Sequence, residues 1–239
     1  MATFILIHGA WHGAWCWERV VPLLEARGHE VFAPDLPAMG EDGTDPRTVT
    51  LADNMTRIGE ELAKASGPAI LVGHSLGGIS ITQAGELFAE KISRLVYLTA
   101  FLPMNGESRA DIAMPDTGQH QPTYIRLSED RKTTTVADEV IAPNYYHDCE
   151  AETVAWAKAR LKPQPLVIGQ TPVQTTPDRW GALPRAYIAC ADDRSIPIAF
   201  QEYMYRRAAC DPVITMQTSH SPFLSAPDEL AAHLDSLAG

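Results

Sequence analysis

The stretch "LVGHSLGG", residues 71–78, decides how the rest of the chain is read. It sits inside "PAILVGHS" (68–75), a short apolar run of strand length that ends in a turn. "LGGISITQAGELFAEK" (76–91) follows with helical spacing. Gly73-His74-Ser75-Leu76-Gly77 fits the pattern G-x-S-x-G. That pattern arises by chance in many chains; a strand before it and a helix after it make it specific. A hydroxyl placed there projects from a turn too sharp for ordinary backbone. Small residues two before and two after it let strand and helix come close. The helix aims its N-terminus at the serine, where backbone N–H groups favour developing negative charge. Ser75 is therefore the candidate nucleophile.

Outward from this turn, apolar strand-length runs alternate with helical patterns. "TFILIH" (3–8) reads as a buried parallel strand, "AWCWERVVPLLEAR" (14–27) as a helix closed by Gly28, and "HEVFAPDL" (29–36) as a second strand. "PAMGEDGTDP" (37–46) is a loop, and "TLADNMTRIGEELAKAS" (50–66) a helix whose Thr50 and Asp53 have capping-box spacing. "RLVYLTAF" (94–101), "RAYIACAD" (185–192) and "PVITMQTS" (212–219) complete six expected strands. A helix over 198–209 lies between the last two strands, and Ser225 with Asp228 is the expected cap of the final helix. Such alternation implies crossover connections and a mostly parallel six-stranded sheet covered by helices on both faces, an α/β fold. Residues 103–183, rich in proline and holding a helical "AETVAWAKARL" (151–161), break the rhythm. A structureless loop that long is improbable. The expectation is a core formed by 1–102 and 184–239, with 103–183 inserted as a cap over one end of the sheet.

The chain has 239 residues, 45% hydrophobic and 21% charged, with a formal net charge of -11. That balance argues against nucleic acid or an anionic membrane as partner. It also disfavours strongly anionic substrates, unless one local basic pocket overrides it. No run approaches the roughly 18 apolar residues of a membrane span. "MATFILIHG" lacks a basic leader and reads as the first strand, so a cytoplasmic protein is expected. Four scattered cysteines without C-x-x-C are expected to be reduced thiols.

A serine hydroxyl needs a base. Of eight histidines, His220 lies in the loop after the last strand. In an open parallel sheet the strand C-termini share one edge, so His220 reaches the same rim as Ser75. His233 falls in the last helix, His29 opens a strand at the opposite edge, and His120 and His147 lie in the insert. His74 is locked beside the nucleophile. The base in turn needs an acid to fix its tautomer. "CADDRSIP" offers Asp192 or Asp193, and strand alternation cannot separate them because the strand has ended. Asp35 is the runner-up, with holding its own turn as the alternative role. The order Ser–Asp–His matches the α/β-hydrolase order.

With these residues in place, the chain resembles the α/β-hydrolase superfamily, and within it the methyl-salicylate-type esterases and hydroxynitrile lyases. The likeness runs nearly end to end through "HGAWHGAWCWERVVPLLEARGHEVFAPDLPAMGED", "GHSLGG", "DRSIPIAFQ" and "SHSPFLSAPDELA". It implies Asp193 as the acid and the N–H groups of Ala10 and Leu76 as the oxyanion hole. The lyases of this fold carry a hydroxyl residue where this chain has Gly9 and a lysine where it has Ser221. Both departures, together with His74 before the nucleophile, favour ester hydrolysis. The resemblance thus implies a serine carboxylesterase acting on small hydrophobic or aromatic esters, with no metal or organic cofactor. A cyanohydrin-cleaving lyase and a non-enzymatic small-ligand receptor are the alternatives, and a homodimer stays open.

"HGAWHGAW" (8–15) looks like a repeat or a metal site. Two histidines four apart share a face only on a helix, and His8 ends a strand. The first half is read as the oxyanion loop, the second as the turn into the first helix, with His12 as a buried hydrogen-bonding residue. Trp11 and Phe101, just past strand ends, and Trp156, in the insert's helix, are candidates for the substrate-pocket wall alongside Gly9; ordinary core packing is the competing role for the aromatics.

Overall fold

The computed structural model describes residues 1–112 and 124–239; His120, Pro115 and Pro122 lie outside them. The chain begins with β1 (Thr3–Ile7), a 3-10 turn over Ala14–Trp17, α1 (Val21–Glu25) and β2 (Glu30–Phe32). The helix expected over 14–27 is thus two pieces. Pro22 has no N–H to give to the preceding turn, so the α-helix starts afresh around it. Next come α2 (Leu51–Lys64), β3 (Ala69–His74), α3 (Gly77–Leu87) and β4 (Ile92–Leu98). The N–H of Thr50 donates to Asp53 Oδ2 at 2.8 Å, as the capping-box spacing expects.

Between β4 and the next core strand lie β5 (Ile125–Leu127), β6 (Thr133–Val136), α4 (Asp138–Tyr145), α5 (Ala151–Lys158), β7 (Gln164–Pro165) and α6 (Leu166–Gln170). The three strands pair antiparallel into a small sheet of their own. The chain then returns through β8 (Arg185–Cys190), α7 (Ile198–Arg207), β9 (Val213–Met216), α8 (Pro222–Ser225) and α9 (Pro227–Ser236). Ser225 is not the cap of the final helix: it ends α8, and α9 restarts at Pro227.

The large sheet has six strands in the order β2-β1-β3-β4-β8-β9, and every pair is parallel. Its residues alternate between two apolar clusters. Ile5, Ile7, Leu71, Leu95 and Tyr97 face one; Phe4, Leu6, Ile70, Val72 and Val96 face the other. This is why the strands read as unbroken apolar runs. Each fully buried Ile or Leu is worth about 1.5–3 kcal/mol over an exposed one, so burial on both faces holds the inner strands, whereas the short edge strands β2 and β9 are only partly buried. Among the described residues no helix is long and apolar enough to cross a membrane, and all four cysteines are unpaired.

The strand order places the site. After β1 the chain steps outward to β2; from β3 onward it steps the other way. The C-terminal ends of β1 and β3 therefore flank the point where strand order reverses, the place where open α/β sheets form a crevice. Residues 8–11 and Ser75 leave the sheet there.

The turn after β3 depends on Gly73. A Cβ on it would stand 2.9 Å from the Gly77 carbonyl oxygen and from Ile81. Gly73→Ala is expected to cost about 1–3 kcal/mol by overpacking against backbone, whereas Gly67→Ala, with open space around it, stays within about 0.5 kcal/mol. Urea unfolding of the two variants checks this.

Candidate active site

Ser75 follows β3 with φ at +51°, in the left-handed region that side chains avoid. Such a residue costs of order 1–3 kcal/mol and persists only where its surroundings over-determine it. Here the Ser75 N–H donates to the Leu98 carbonyl at 3.3 Å, and the Ser75 carbonyl accepts from Phe101 N–H at 3.0 Å. Trp11 (φ 63°) and Thr99 (φ 35°) share the left-handed backbone, and both reach the same site: Trp11 lines the cavity beside Ser75, and Thr99 bonds the acid described next.

His220 and Asp193 form a buried pair. His220 is 1% exposed and Asp193 5%, and His220 Nδ1 meets Asp193 Oδ2 at 2.6 Å. The N–H groups of Ser195 and Ile196 donate to Asp193 Oδ1 at 2.6 and 2.9 Å, and the Thr99 hydroxyl donates to Oδ2. Four donors on one buried carboxylate hold it in position for the imidazole. Asp192, by contrast, is exposed. Asp35 takes its alternative role, with Oδ1 accepting Ala14 N–H at 2.6 Å and Oδ2 accepting Glu41 N–H at 2.9 Å. Thr99 carries no motif in the sequence; it stands just past the end of β4.

Three further buried histidines surround this pair, each with hydrogen bonds that assign its tautomer. His8 Nε2 accepts Leu36 N–H at 3.1 Å, so its Nδ1–H donates to the Gly9 carbonyl at 2.9 Å. His12 Nε2 takes the Tyr146 hydroxyl at 2.6 Å, and its Nδ1–H donates to the Ala10 carbonyl at 2.7 Å. His74 Nε2–H donates to the His220 carbonyl at 2.9 Å. Burial lowers the pKa of all three, that of His12 to about 3, so all stand neutral. The apparent repeat thus fixes two consecutive peptides. In a trans peptide C=O and N–H point apart, so drawing the Gly9 carbonyl toward His8 turns the Ala10 N–H the other way. Among the described residues, neither Ala10 N–H nor Leu76 N–H has an internal acceptor.

Ala10, Trp11, Ser75, Leu76 and Phe101 line one cavity of about 300 Å³. The Trp11 indole is fixed by its N–H donating to the Thr134 carbonyl at 3.0 Å. The segment between β4 and β8 supplies much of the remaining wall, including Ile125, Leu127, Tyr145 and Leu166. Trp156 is not brought to the cavity. It packs edge-on against Trp15, with ring centroids 5.2 Å apart, and belongs to the cluster on the other face of the sheet. Gly9 stands behind the wall: a Cβ there would lie 2.7 Å from His74 Nδ1 and 2.9 Å from Ser75 Cβ. His147 donates to the Asp192 carbonyl, His29 pairs with Asp235, and His233 lies near Glu229 on the last helix.

A model of the alpha/beta hydrolase family matches residues 4–233. Methyl jasmonate esterase 1 of Vitis vinifera is 32% identical over 255 residues, spanning 98% of this chain and 95% of that protein. The pyrethroid hydrolase of Sphingobium wenxiniae is 34% identical over 240 residues, spanning 97% and 85%. Among solved structures, polyneuridine aldehyde esterase superposes with a TM-score of 0.90 at 27% identity, covering both chains fully. The chain belongs to the alpha/beta hydrolase family. Its esterase relatives place it, more narrowly, among the carboxylic ester hydrolases.

The neutral histidines carry a pH signature. Unfolded, each takes a proton near its ordinary value of 6.5; folded, each resists, His12 down to about 3. Unfolding therefore takes up protons below about pH 6.5, and stability falls as pH drops. Each such proton changes the unfolding constant about tenfold per pH unit. Urea titrations between pH 7 and 5 are expected to show this decline, made shallower by close to one proton in His12→Asn.

Proposed function

We propose that the chain hydrolyses small hydrophobic or aromatic esters through an acyl-enzyme, with Ser75 as nucleophile, His220 as base and Asp193 as the group that orients it. The buried His220–Asp193 pair on the rim that carries the strained Ser75 is the observation that carries this reading. His220 takes the Ser75 proton as Oγ attacks the ester carbonyl. The tetrahedral oxygen takes hydrogen bonds from Ala10 and Leu76 N–H. His220 then returns the proton to the leaving alcohol, and water activated by the same imidazole clears the acyl group. Among the described residues the Ser75 hydroxyl makes no hydrogen bond; resting sites commonly hold this contact long and tighten it on substrate.

The mostly apolar walls of a 300 Å³ cavity support a small, hydrophobic acyl or alcohol part. Residues 1–102 and 184–239 act as the catalytic core, and 103–183 as the cap that sets substrate size. Against the lyase reading stands Gly9, where a hydroxyl side chain would collide with His74.

In this scheme His8 is a positioning residue. It holds the Gly9–Ala10 peptide in the one orientation that offers Ala10 N–H to an oxyanion. Ser75→Ala is expected to lower kcat on 4-nitrophenyl acetate at least about 10⁴-fold, and Asp193→Asn about 10⁴-fold. His8→Leu is expected to lower kcat by about 10–100-fold with KM nearly unchanged, since one oxyanion donor is worth about 10²–10³. Steady-state kinetics of the three variants decide it; full turnover in Ser75→Ala removes Ser75 from the mechanism.

A further inference from the structure

Among the described residues, the cavity that opens on Ser75 is lined by one charged side chain. Among the described residues no aspartate or glutamate lines it, and Arg109 is its sole cation. The guanidinium stands over the Phe101 ring, 4.9 Å from its centroid. The stem of Arg109 packs beside the nucleophile's neighbour: Arg109 Cδ and Leu76 Cδ1 both come within 3.6 Å of the same point above Gly169. Among the described residues, the guanidinium meets no carboxylate within ion-pair distance. Two other arginines near the insert are used differently. Arg207 pairs with Glu107 at 2.6 Å, and Arg126 lies near Glu139 at 3.3 Å.

A guanidinium stays charged near neutrality. Arg109 is half-buried, and the part of a guanidinium withdrawn from water is costly to hold unless something neutralises it. The Phe101 face offsets part of that cost. It supplies no acceptor for the five planar N–H donors, whose geometry matches a carboxylate. The net charge of -11 repels anions from the molecule as a whole. That repulsion is screened beyond about 8–10 Å, whereas the field inside the cavity is set by the group that lines it. Arg109 is thus a local basic pocket within an acidic protein.

We propose that the ester accepted by this cavity carries a second, anionic group, a carboxylate, which Arg109 binds while Ser75 attacks the ester carbonyl. The inference rests on Ser75 acting as an esterase nucleophile. Hydrolysis breaks the acyl C–O bond and adds water. A half-ester then yields a dicarboxylate, an alcohol and a proton; an ester of a hydroxy acid yields two monocarboxylates and a proton. The reaction that supplies such a substrate must be an esterification or acyl transfer that leaves one carboxylate free. Apolar walls and a single cation together select a short amphiphilic acid over a wholly neutral ester.

The test compares matched esters. On the acyl side, 4-nitrophenyl hemisuccinate and hemiglutarate are set against 4-nitrophenyl pentanoate; on the alcohol side, 4-acetoxybenzoate against 4-tolyl acetate. A charge-assisted hydrogen bond predicts that kcat/KM favours the anionic member by roughly 10–100-fold in at least one arm. Arg109→Met is expected to lose that ratio, and Arg109→Lys to keep part of it. Using the ratio cancels any general loss of activity or folding in the variants. Ratios at or below one in both wild-type arms, or a ratio unchanged in Arg109→Met, overturn the proposal. Should the wild type cleave none of these esters, the esterase reading fails separately. Calorimetry with glutarate and 4-hydroxybenzoate then decides the cation site alone. Binding to Ser75→Ala that is at least tenfold tighter than to Ser75→Ala/Arg109→Met supports it, and equal binding overturns it.

Discussion

A serine held at φ +51° between a strand and a helix is the constraint on which the other parts depend. Left alone, the backbone would relax, because an L-residue there crowds its own carbonyl. It stays because Gly73 lets the start of α3 close onto β3, and because the Ser75 peptide groups are tied to Leu98 and Phe101. That strain fixes where the hydroxyl projects. It also leaves Leu76 N–H, at the start of α3, without an internal acceptor among the described residues. One local distortion thus aims the hydroxyl at the cavity and leaves an adjacent backbone donor free.

The second layer is made of neutral histidines. In water an imidazole titrates near physiological pH; buried as His8, His12 and His74 are, it becomes a rigid donor–acceptor of fixed tautomer. Two of them act on backbone carbonyls of the loop after β1, and the third ties the residue before Ser75 to the His220 carbonyl. The loop after β1 is therefore braced internally and tied to Leu36 and Tyr146, and the end of β3 is tied to the loop after β9, all by uncharged hydrogen bonds. Charged groups in the same places would carry a desolvation cost and disturb the field around the His220–Asp193 pair. This shell also explains Gly9: with His74 packed at 2.7 Å from where a Cβ would stand, position 9 has no room for a side chain.

What the amino-acid sequence made legible follows from what forms locally. The inner strands β1, β3, β4 and β8 are buried on both faces over most of their length, so they read as apolar runs, and G-x-S-x-G in its strand–helix setting marked Ser75. The order of strand ends along one rim was enough to bring His220 to it. Asp193 could not be told from Asp192 by periodicity, because the strand ends before them; burial and the Ser195 and Ile196 N–H groups distinguish them. Thr99 and Arg109 left no signal, since each matters only through partners far along the chain. The insert's strands span two to four residues, too short for a period to show. Trp156 packs on the other face of the sheet; helical spacing says nothing of which side an inserted helix covers.

Covalent trapping tests the central claim, that Ser75 on this strained turn is the nucleophile and His220 its base. Treatment with diethyl 4-nitrophenyl phosphate is expected to release one equivalent of 4-nitrophenolate per chain and to place the diethylphosphoryl group on the peptide containing Ser75. Labelling in His220→Ala should be slower by at least about 10²-fold, the lower range for general-base catalysis. Labelling of Ser75→Ala at the wild-type rate, or an adduct mapped to another residue, would contradict the account.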